Sequence, residues 1–237
     1  MGLIIPTLMY HSVDLESTDY LTVSRKNFYD HIAYLKEHYN VTGIEEIAGN
    51  RADGKEISPE TIVITFDDSL QNNIHYAVPV LEEFEVPAVF FVIAGYIGKD
   101  NSWDHKAYRI EKHMNEGELK SLVKSGFDIG NHSLTHQRLT KLSDKEVKRE
   151  FVHSTAIIEE ITGQKPSAFS YPYGDADERC LDLCRRHFTY GFATVRQGDF
   201  DWSLAGNNIR RIYVSPTDSP RDLEEKIGCY KRSIQHR

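Results

Sequence analysis

Thr61-Ile62-Val63-Ile64-Thr65-Phe66-Asp67-Asp68-Ser69 begins as an apolar, β-branched run and ends in two adjacent carboxylates. The apolar part is typical of a strand that is buried on both faces. Neighbouring side chains of a regular strand point to opposite faces, so two aspartates can face one pocket only where the strand ends. Enzymes with α/β folds usually carry catalytic groups at the carboxyl ends of such strands. The run therefore predicts a catalytic site at Asp67 and Asp68, and the alternative is a strand followed by an Asp-Ser helix cap.

Strand-like and helix-like segments alternate on both sides of this run. Strands are predicted at residues 3–10, 88–93, 127–130, 167–171, 191–195 and 209–214, and helices at about 28–39, 77–84, 143–162, 178–187 and from 220. Ser143 and Glu146 predict a capping box for the longest helix, and Gly163 predicts its end. The alternation predicts an α/β fold with a mainly parallel sheet, in a single domain covering residues 1–237. The number of units favours a closed or nearly closed barrel, and the absence of a glycine-rich phosphate loop disfavours nucleotide binding.

Charge and hydrophobicity disfavour two classes of protein, those that bind nucleic acid and those that span a membrane. The net charge of −8 disfavours nucleic acid as a partner, and no apolar run approaches the roughly 20 residues that cross a bilayer. The first residues lack the features of a secretory signal, which predicts a cytoplasmic protein, or an exported one if a targeting segment has been removed. The three cysteines, Cys180, Cys184 and Cys229, form no CxxC pair, so reduced thiols are expected.

A second chemical stretch, Gly-Asn-His-Ser-Leu-Thr-His at residues 130–136, places His132 and His136 four residues apart. Histidine pairs at this spacing are common on protein surfaces, so the spacing alone is a weak signal. His132, however, follows a short predicted strand, as Asp67 and Asp68 do, and strand ends converge on one face of a parallel barrel. One carboxylate and two imidazoles can bind a divalent metal and leave positions open for water and substrate.

The third stretch is Tyr-Pro-Tyr-Gly-Asp at residues 171–175, again just after a predicted strand. Its composition is typical of a turn that leads into a helix. If the turn faces the metal site, its backbone N–H groups would stabilise a developing oxyanion.

Together these stretches resemble the motifs of the NodB-homology polysaccharide deacetylases, the fourth carbohydrate esterase family. Residues 65–69 resemble the first motif, 132–136 the second and 171–174 a variant of the third, while 8–13 resemble the opening strand of the subgroup that acts on poly-N-acetylglucosamine-type polymers. The resemblance implies a distorted (β/α) barrel with about seven parallel strands. It also implies a metal-dependent enzyme that removes N-acetyl groups from an N-acetylhexosamine-containing polysaccharide or glycoconjugate and releases acetate.

The resemblance assigns a role to each motif residue. Asp68, His132 and His136 would hold the divalent metal, with zinc expected first, and Asp67 would be the general base. The backbone N–H of Tyr173 would stabilise the oxyanion. Two tryptophans in predicted loops, Trp103 and Trp202, would offer stacking faces to the sugar, with a core position for one of them as the alternative.

The sequence departs from the family pattern in two important places. The arginine that usually opens the third motif is replaced by Ser170, and we expect Arg211 in the last strand to supply its charge, with a surface arginine as the alternative. The late Leu-x-His motif, whose histidine protonates the leaving amine, has no match. His11 is the best substitute because it ends the first predicted strand, although a packed or capping histidine is equally compatible with that position.

Two other functions are compatible with these residues. The same barrel and metal would serve a C–N hydrolase acting on a small amide, imide or ureide. The missing late histidine would also fit a carbohydrate-binding relative with weak catalysis. The intact set of Asp67, Asp68, His132 and His136 favours an enzyme.

Overall fold

The run that ends at Asp67 forms a central strand of a curled parallel sheet. The computed structural model describes residues 2–104, 109–194 and 198–233. Its strands are β1 (Thr7–Tyr10), β2 (Ser12–Asp14), β3 (Thr22–Ser24), β4 (Asn40–Val41), β5 (Thr61–Phe66), β6 (Val89–Val92), β7 (Asp128–Asn131), β8 (Ala168–Ser170), β9 (Tyr190–Phe192) and β10 (Ile212–Tyr213). Its α-helices are α1 (Arg25–His38), α2 (Ile44–Ala52), α3 (Asn72–Tyr76), α4 (Val78–Glu83), α5 (Glu116–Lys124), α6 (Asp144–Thr162), α7 (Glu178–His187), α8 (Trp202–Ala205) and α9 (Pro220–Arg232).

The main sheet has the strand order β10-β1-β5-β6-β7-β8-β9, and every neighbouring pair is parallel. Strand β4 also pairs with the first residues of β5, and β2 and β3 form a separate two-stranded sheet. The predicted α/β fold, a distorted (β/α) barrel with about seven parallel strands, is confirmed. A closed barrel would require the two edge strands, β9 and β10, to pair. Among the described residues they do not pair, and Phe192 of β9 makes only an isolated bridge to Ile209, which precedes β10.

Alternation along β5 separates two apolar layers. Ile62, Ile64 and Phe66 belong to the large cluster that also contains the buried residues of α1 and α9. Val63 belongs to a second cluster with residues of β6 and β9, which fills the inside of the curled sheet. Because side chains alternate along a strand, the inward series continues from Val63 through Thr65 to Asp67. Asp67 therefore points into the interior, at the open end of the sheet.

The longest helix begins and ends where the sequence predicts. Ser143 and Glu146 form the capping box of α6, and Gly163 ends the helix with a φ of 73°. The helix predicted at 77–84 is observed as α4 (Val78–Glu83), which follows the short helix α3, and Pro79 lies in the first turn of α4. Proline is favoured there because the N–H that it lacks has no helical partner. Val195, at the end of a predicted strand, lies outside the described residues.

No helix in the described part of the chain is both long enough and apolar enough to span a bilayer.

Candidate metal centre and active site

The backbone turns sharply at the ends of the strands that carry the three motifs. Five non-glycine residues there have positive φ angles: Asp68 (67°), Ser69 (48°), Ser133 (69°), His136 (56°) and Tyr173 (59°). Such conformations cost about 1–3 kcal/mol each and cluster at functional sites. At Asp68 the turn follows directly on Asp67, so two adjacent carboxylates that a regular strand would separate are brought to one pocket.

Buried hydrogen bonds hold the strained loop of the second motif. Ser133 accepts a bond from the backbone N–H of His136 at 2.9 Å, and Asn131 Oδ1 accepts one from the N–H of Ser133 at 2.8 Å. Glu150, which is buried on α6, accepts bonds from the N–H groups of Leu134 and Thr135 at 2.9 Å each. Glu150 was not identified from the sequence. The only signal available was a carboxylate beside the apolar residues of α6.

Asp68, His132 and His136 converge at one point. Asp68 Oδ1 lies 3.4 Å from His132 Nε2 and 3.5 Å from His136 Nε2. All three side chains are well buried, and one potential ligand atom from each lies within 4.8 Å of the others. Ligands bound at about 2.0–2.2 Å from one tetrahedral zinc ion would be about 3.4 Å apart. The spacing of these atoms therefore fits a single metal ion.

Hydrogen bonding and charge also favour a cation at this point. Asp68 Oδ1 and His136 Nδ1 are buried without a hydrogen-bond partner among the residues that the structure describes. His132 Nδ1 donates to the backbone oxygen of Ser170 at 2.8 Å, which leaves its Nε2 lone pair facing Asp68. Burial raises the pKa of Asp68, but His132 and His136 outweigh this and hold the pKa well below its usual range.

The two imidazoles respond differently to the two aspartates. Burial lowers the pKa of His136 to about 3, although Asp68 acts in the opposite direction. Burial also lowers the pKa of His132, but Asp67 and Asp68 outweigh it and raise the pKa above the usual value. The pocket thus has an excess of negative charge that a proton on His132, or a metal ion, would balance. A neutral His136 and an ionised Asp68 are the protonation states that ligation requires.

Asp67 is held by Arg211, as the sequence analysis expected. The two carboxylate oxygens accept bonds from Arg211 Nη1 and Nη2 at 2.8 and 2.7 Å, and Arg211 is only 1% exposed. Nη2 also donates to Ser170 Oγ at 2.9 Å, so Arg211 contacts both Asp67 and the serine at the position where the family resemblance leads one to expect an arginine. Burial raises the pKa of Asp67, but Arg211 and His132 outweigh it and lower the pKa to about 2.

His11 lies at the edge of the same pocket. Its Nδ1 is buried and has no hydrogen-bond partner in the described part of the chain, and its backbone oxygen accepts a bond from Asn73 Nδ2 at 2.8 Å. Burial lowers the pKa of His11, whereas the nearby charges of Asp67 and Asp68 act to raise it. The ring is thus close enough to both carboxylates for their negative charge to affect its pKa.

The two predicted sugar-stacking tryptophans have different surroundings. Trp103 is half-buried, and its ring centroid lies 4.0 Å from that of His136. Trp202 starts helix α8, is fully buried, and donates its indole N–H to the backbone oxygen of Ile5 at 3.0 Å. The prediction of a loop and a sugar face at Trp202 is wrong, because this ring is part of the interior apolar cluster.

His113 is a site residue that no sequence motif indicated. Its Nδ1 donates to the backbone oxygen of Asp68 at 2.7 Å, and its Nε2 accepts from Trp103 Nε1 at 3.0 Å. It therefore links the left-handed turn at Asp68 to the ring that packs on His136. Burial lowers the pKa of His113, in agreement with a neutral ring that donates at one nitrogen and accepts at the other.

Tyr173 lies on the other side of His136. Its ring centroid is 4.7 Å from that of His136 in an edge-to-face arrangement, and the side chain is 49% exposed. The ring of Tyr173, whose backbone is in a left-handed turn, thus packs against a candidate metal ligand.

This fold and this set of side chains define a barrel hydrolase with a candidate metal centre at the open end of the sheet. The family model for polysaccharide deacetylases matches residues 54–190, more than half of the chain. The chain belongs to the polysaccharide deacetylase family, which confirms the family predicted from the three motifs and the prediction that the protein is an enzyme of this family.

Similar proteins cover most of the chain. YxkH of Bacillus subtilis is 27% identical over 98% of this chain and 77% of its own length. A poly-beta-1,6-N-acetyl-D-glucosamine N-deacetylase of Staphylococcus aureus is 26% identical over 183 residues. This match covers 73% of this chain and 61% of that enzyme's length. Among solved structures, Streptococcus pyogenes deacetylase PplD has a TM-score of 0.82 at 22% identity, covering 96% of this chain and 99% of PplD. IcaB from Ammonifex degensii has a TM-score of 0.75 at 22% identity, and the match covers 96% of this chain and 98% of the IcaB chain. At these identities the structures establish a common fold.

Proposed function

We propose that this protein is a metal-dependent hydrolase that removes N-acetyl groups from an N-acetylhexosamine-containing glycan and releases acetate. The observation that carries the proposal is the convergence of Asp68, His132 and His136 beside a second carboxylate, Asp67, fixed by Arg211. The names of relatives such as the S. aureus N-deacetylase support the choice of an acetylated amino sugar.

Asp68, His132 and His136 would hold the metal, with zinc the first candidate for this nitrogen and oxygen ligand set. A divalent ion bound there would lower the pKa of water and polarise the acetyl carbonyl. Asp67 would accept the proton of the attacking water. With a pKa of about 2 it is a weak base, so its contribution depends on its fixed position more than on its basicity.

An open cleft favours a glycan over a small amide as the substrate. Two cavities meet at Trp103, one of them also lined by Asp68 and the other by His136 and Tyr173. The cavity beside His136 has a volume of about 690 Å³, so a chain of sugars can extend into it from the site, whereas sites for small molecules usually enclose most of the ligand. The C–N hydrolase of small amides is therefore the second candidate.

The function is tested by acetate release from β-1,6-linked N-acetylglucosamine oligosaccharides. We expect release to stop when the protein is treated with a chelator and to return when Zn²⁺ or another divalent ion is added, because the three ligands hold the ion reversibly. Release that is unaffected by chelation would contradict metal dependence. A metal-loaded protein that hydrolyses small cyclic amides but no acetylated glycan would support the second candidate.

We propose His11 as the general acid that protonates the leaving amine. His11→Gln is expected to lower turnover of the N-acetyl oligosaccharide by about 10²–10⁴-fold, the usual contribution of a general acid. Hydrolysis of 4-nitrophenyl acetate should fall much less, because a nitrophenolate leaves without protonation. An equal loss with both substrates would instead indicate that His11 acts by packing.

A further inference from the structure

A cavity of about 690 Å³ opens beside the candidate metal centre, and we call it the basic arm. It is lined by His136, Trp103 and Tyr173 next to the site, and by Arg138 and Lys141 further out. Its volume is in the range of pockets that hold a ligand of several rings. A sugar that neighbours the reacting one could therefore occupy it.

Charge distinguishes the basic arm from the rest of the protein. The chain carries 36 acidic and 28 basic residues, yet no carboxylate lines this cavity among the described residues. The neighbouring cavity, which is lined by both Trp103 and Asp68, is acidic. Its wall also contains Asp19, Asp104 and Glu111. The cleft is thus positive on the His136 side and negative on the other.

Arg138 is oriented for binding an anion. Its guanidinium carbon lies 4.2 Å from the centre of the Tyr173 ring, and its Nη1 lies 3.4 Å from Asp175 Oδ2. That carboxylate oxygen also accepts a shorter bond, at 2.8 Å, from the hydroxyl of Thr140. The Arg138 side chain is 52% exposed, so its other N–H groups face solvent and can form the paired bonds that guanidinium makes to carboxylate and phosphate.

Lys141 adds a second positive charge to the same cavity. It is exposed, and among the described residues it makes no ion pair. Two cations with few competing internal partners, placed around an aromatic wall, form a site for a ring that bears a negative group.

We propose that the basic arm binds a phosphate or carboxylate substituent on the sugar next to the one that is deacetylated, so that the preferred substrate is an acidic glycan. This inference rests on the proposed function, because it places the acetamido group at His136. Trp103 and Tyr173 would contact the sugar ring, while Arg138 and Lys141 would bind the anion.

The test compares three β-1,6-linked N-acetylglucosamine tetrasaccharides: the neutral one, one oxidised to an aldonate at its reducing end, and one phosphorylated on the 6-hydroxyl of its other end. Binding to the metal-loaded protein is measured by calorimetry, and acetate release is measured in parallel. We expect at least one charged tetrasaccharide to bind about tenfold more tightly than the neutral one at low salt. The difference should shrink as NaCl is raised, because the cations are exposed.

The variant Arg138→Gln/Lys141→Gln should bring the ratio of charged to neutral affinity close to one. Lys148→Gln, which removes an exposed cation of α6 outside the cavity, is the matched control and should leave the ratio unchanged. Equal binding of all three tetrasaccharides, or a preference that survives the double substitution, would overturn the inference. A binding preference without acetate release from any glycan would refute the proposed function and leave the anion site standing.

Discussion

Asp67→Asn protein is expected to bind its metal with nearly normal affinity and to lose about 10²–10⁴-fold in kcat. The amide keeps the size of the carboxylate and one oxygen for Arg211, which donates to both carboxylate oxygens in the native protein. It cannot accept a proton from water. Acetate release under saturating substrate measures kcat, and competition with a chromophoric chelator measures metal affinity.

Asp68→Asn is the matched control, since it makes the same chemical change one residue away. Asp68 Oδ1 is the atom that lies 3.4 and 3.5 Å from the two imidazoles, so we expect metal affinity to fall by at least about 100-fold. Added metal should restore part of the activity of this variant but none of that of Asp67→Asn. Equal loss of metal by both proteins would show that the two aspartates do not have separate roles.

Arg211→Ala is expected to cost about 3–5 kcal/mol of unfolding free energy, because it leaves the buried Asp67 carboxylate without its partner. We expect kcat to fall as well, since Asp67 loses the two bonds that orient it. Urea unfolding of the metal-free protein measures the first effect and acetate release the second. A folded Arg211→Ala protein with unchanged kcat would remove the orienting role.

The loss of unfolding free energy in Arg211→Ala should depend on pH in a definite direction. In the native protein the pKa of Asp67 is lowered to about 2, so its ion pair contributes stability above the unfolded value of 3.8, and this contribution is lost as pH falls toward 2. Without Arg211, burial of Asp67 is opposed mainly by His132, so we expect the pKa of Asp67 to rise and its protonation to reduce the destabilisation as the pH is lowered. The destabilisation should therefore be smaller at pH 5 than at pH 7.5. A difference that is constant over this range would contradict the ion-pair explanation.

Arg211→Lys separates charge from geometry. Lysine keeps the positive charge but cannot make the two parallel bonds to the carboxylate. We expect a smaller loss of stability than in Arg211→Ala, together with a clear loss of kcat. If kcat of Arg211→Lys equals that of the native protein, the charge alone is sufficient.

Much of the site could be predicted because its parts are local. Asp68, His132 and His136 occur in short motifs that follow predicted strands, and parallel strands bring their carboxyl ends together. The pairing of Arg211 with Asp67 could be stated as a hypothesis, since the missing arginine at Ser170 left a carboxylate in need of a charge. His113 and Glu150 could not be identified, because each acts through backbone groups of loops that are distant or separated in sequence.

Trp202 shows why an aromatic residue in an apparent loop is hard to interpret. Composition around it gave no helical or strand pattern, yet its ring fills the interior of the curled sheet and bonds to Ile5, 197 residues earlier. The same loop composition predicts the same role for Trp103, and its ring does lie against that of His136. Only the path of the chain distinguishes the two.

The sequence by itself determined the alternation of the main strands and helices, the capping of α6, the family and the residues of the candidate metal centre. These depend on side-chain periodicity and on short motifs, which act over a few residues. The tertiary structure alone decided whether Arg211 pairs with Asp67 or lies at the surface, which tryptophan faces the cleft, and that positive and negative walls lie on opposite sides of the site. Those features depend on strand order and on loops that meet across the end of the sheet, where residues far apart in the chain become neighbours.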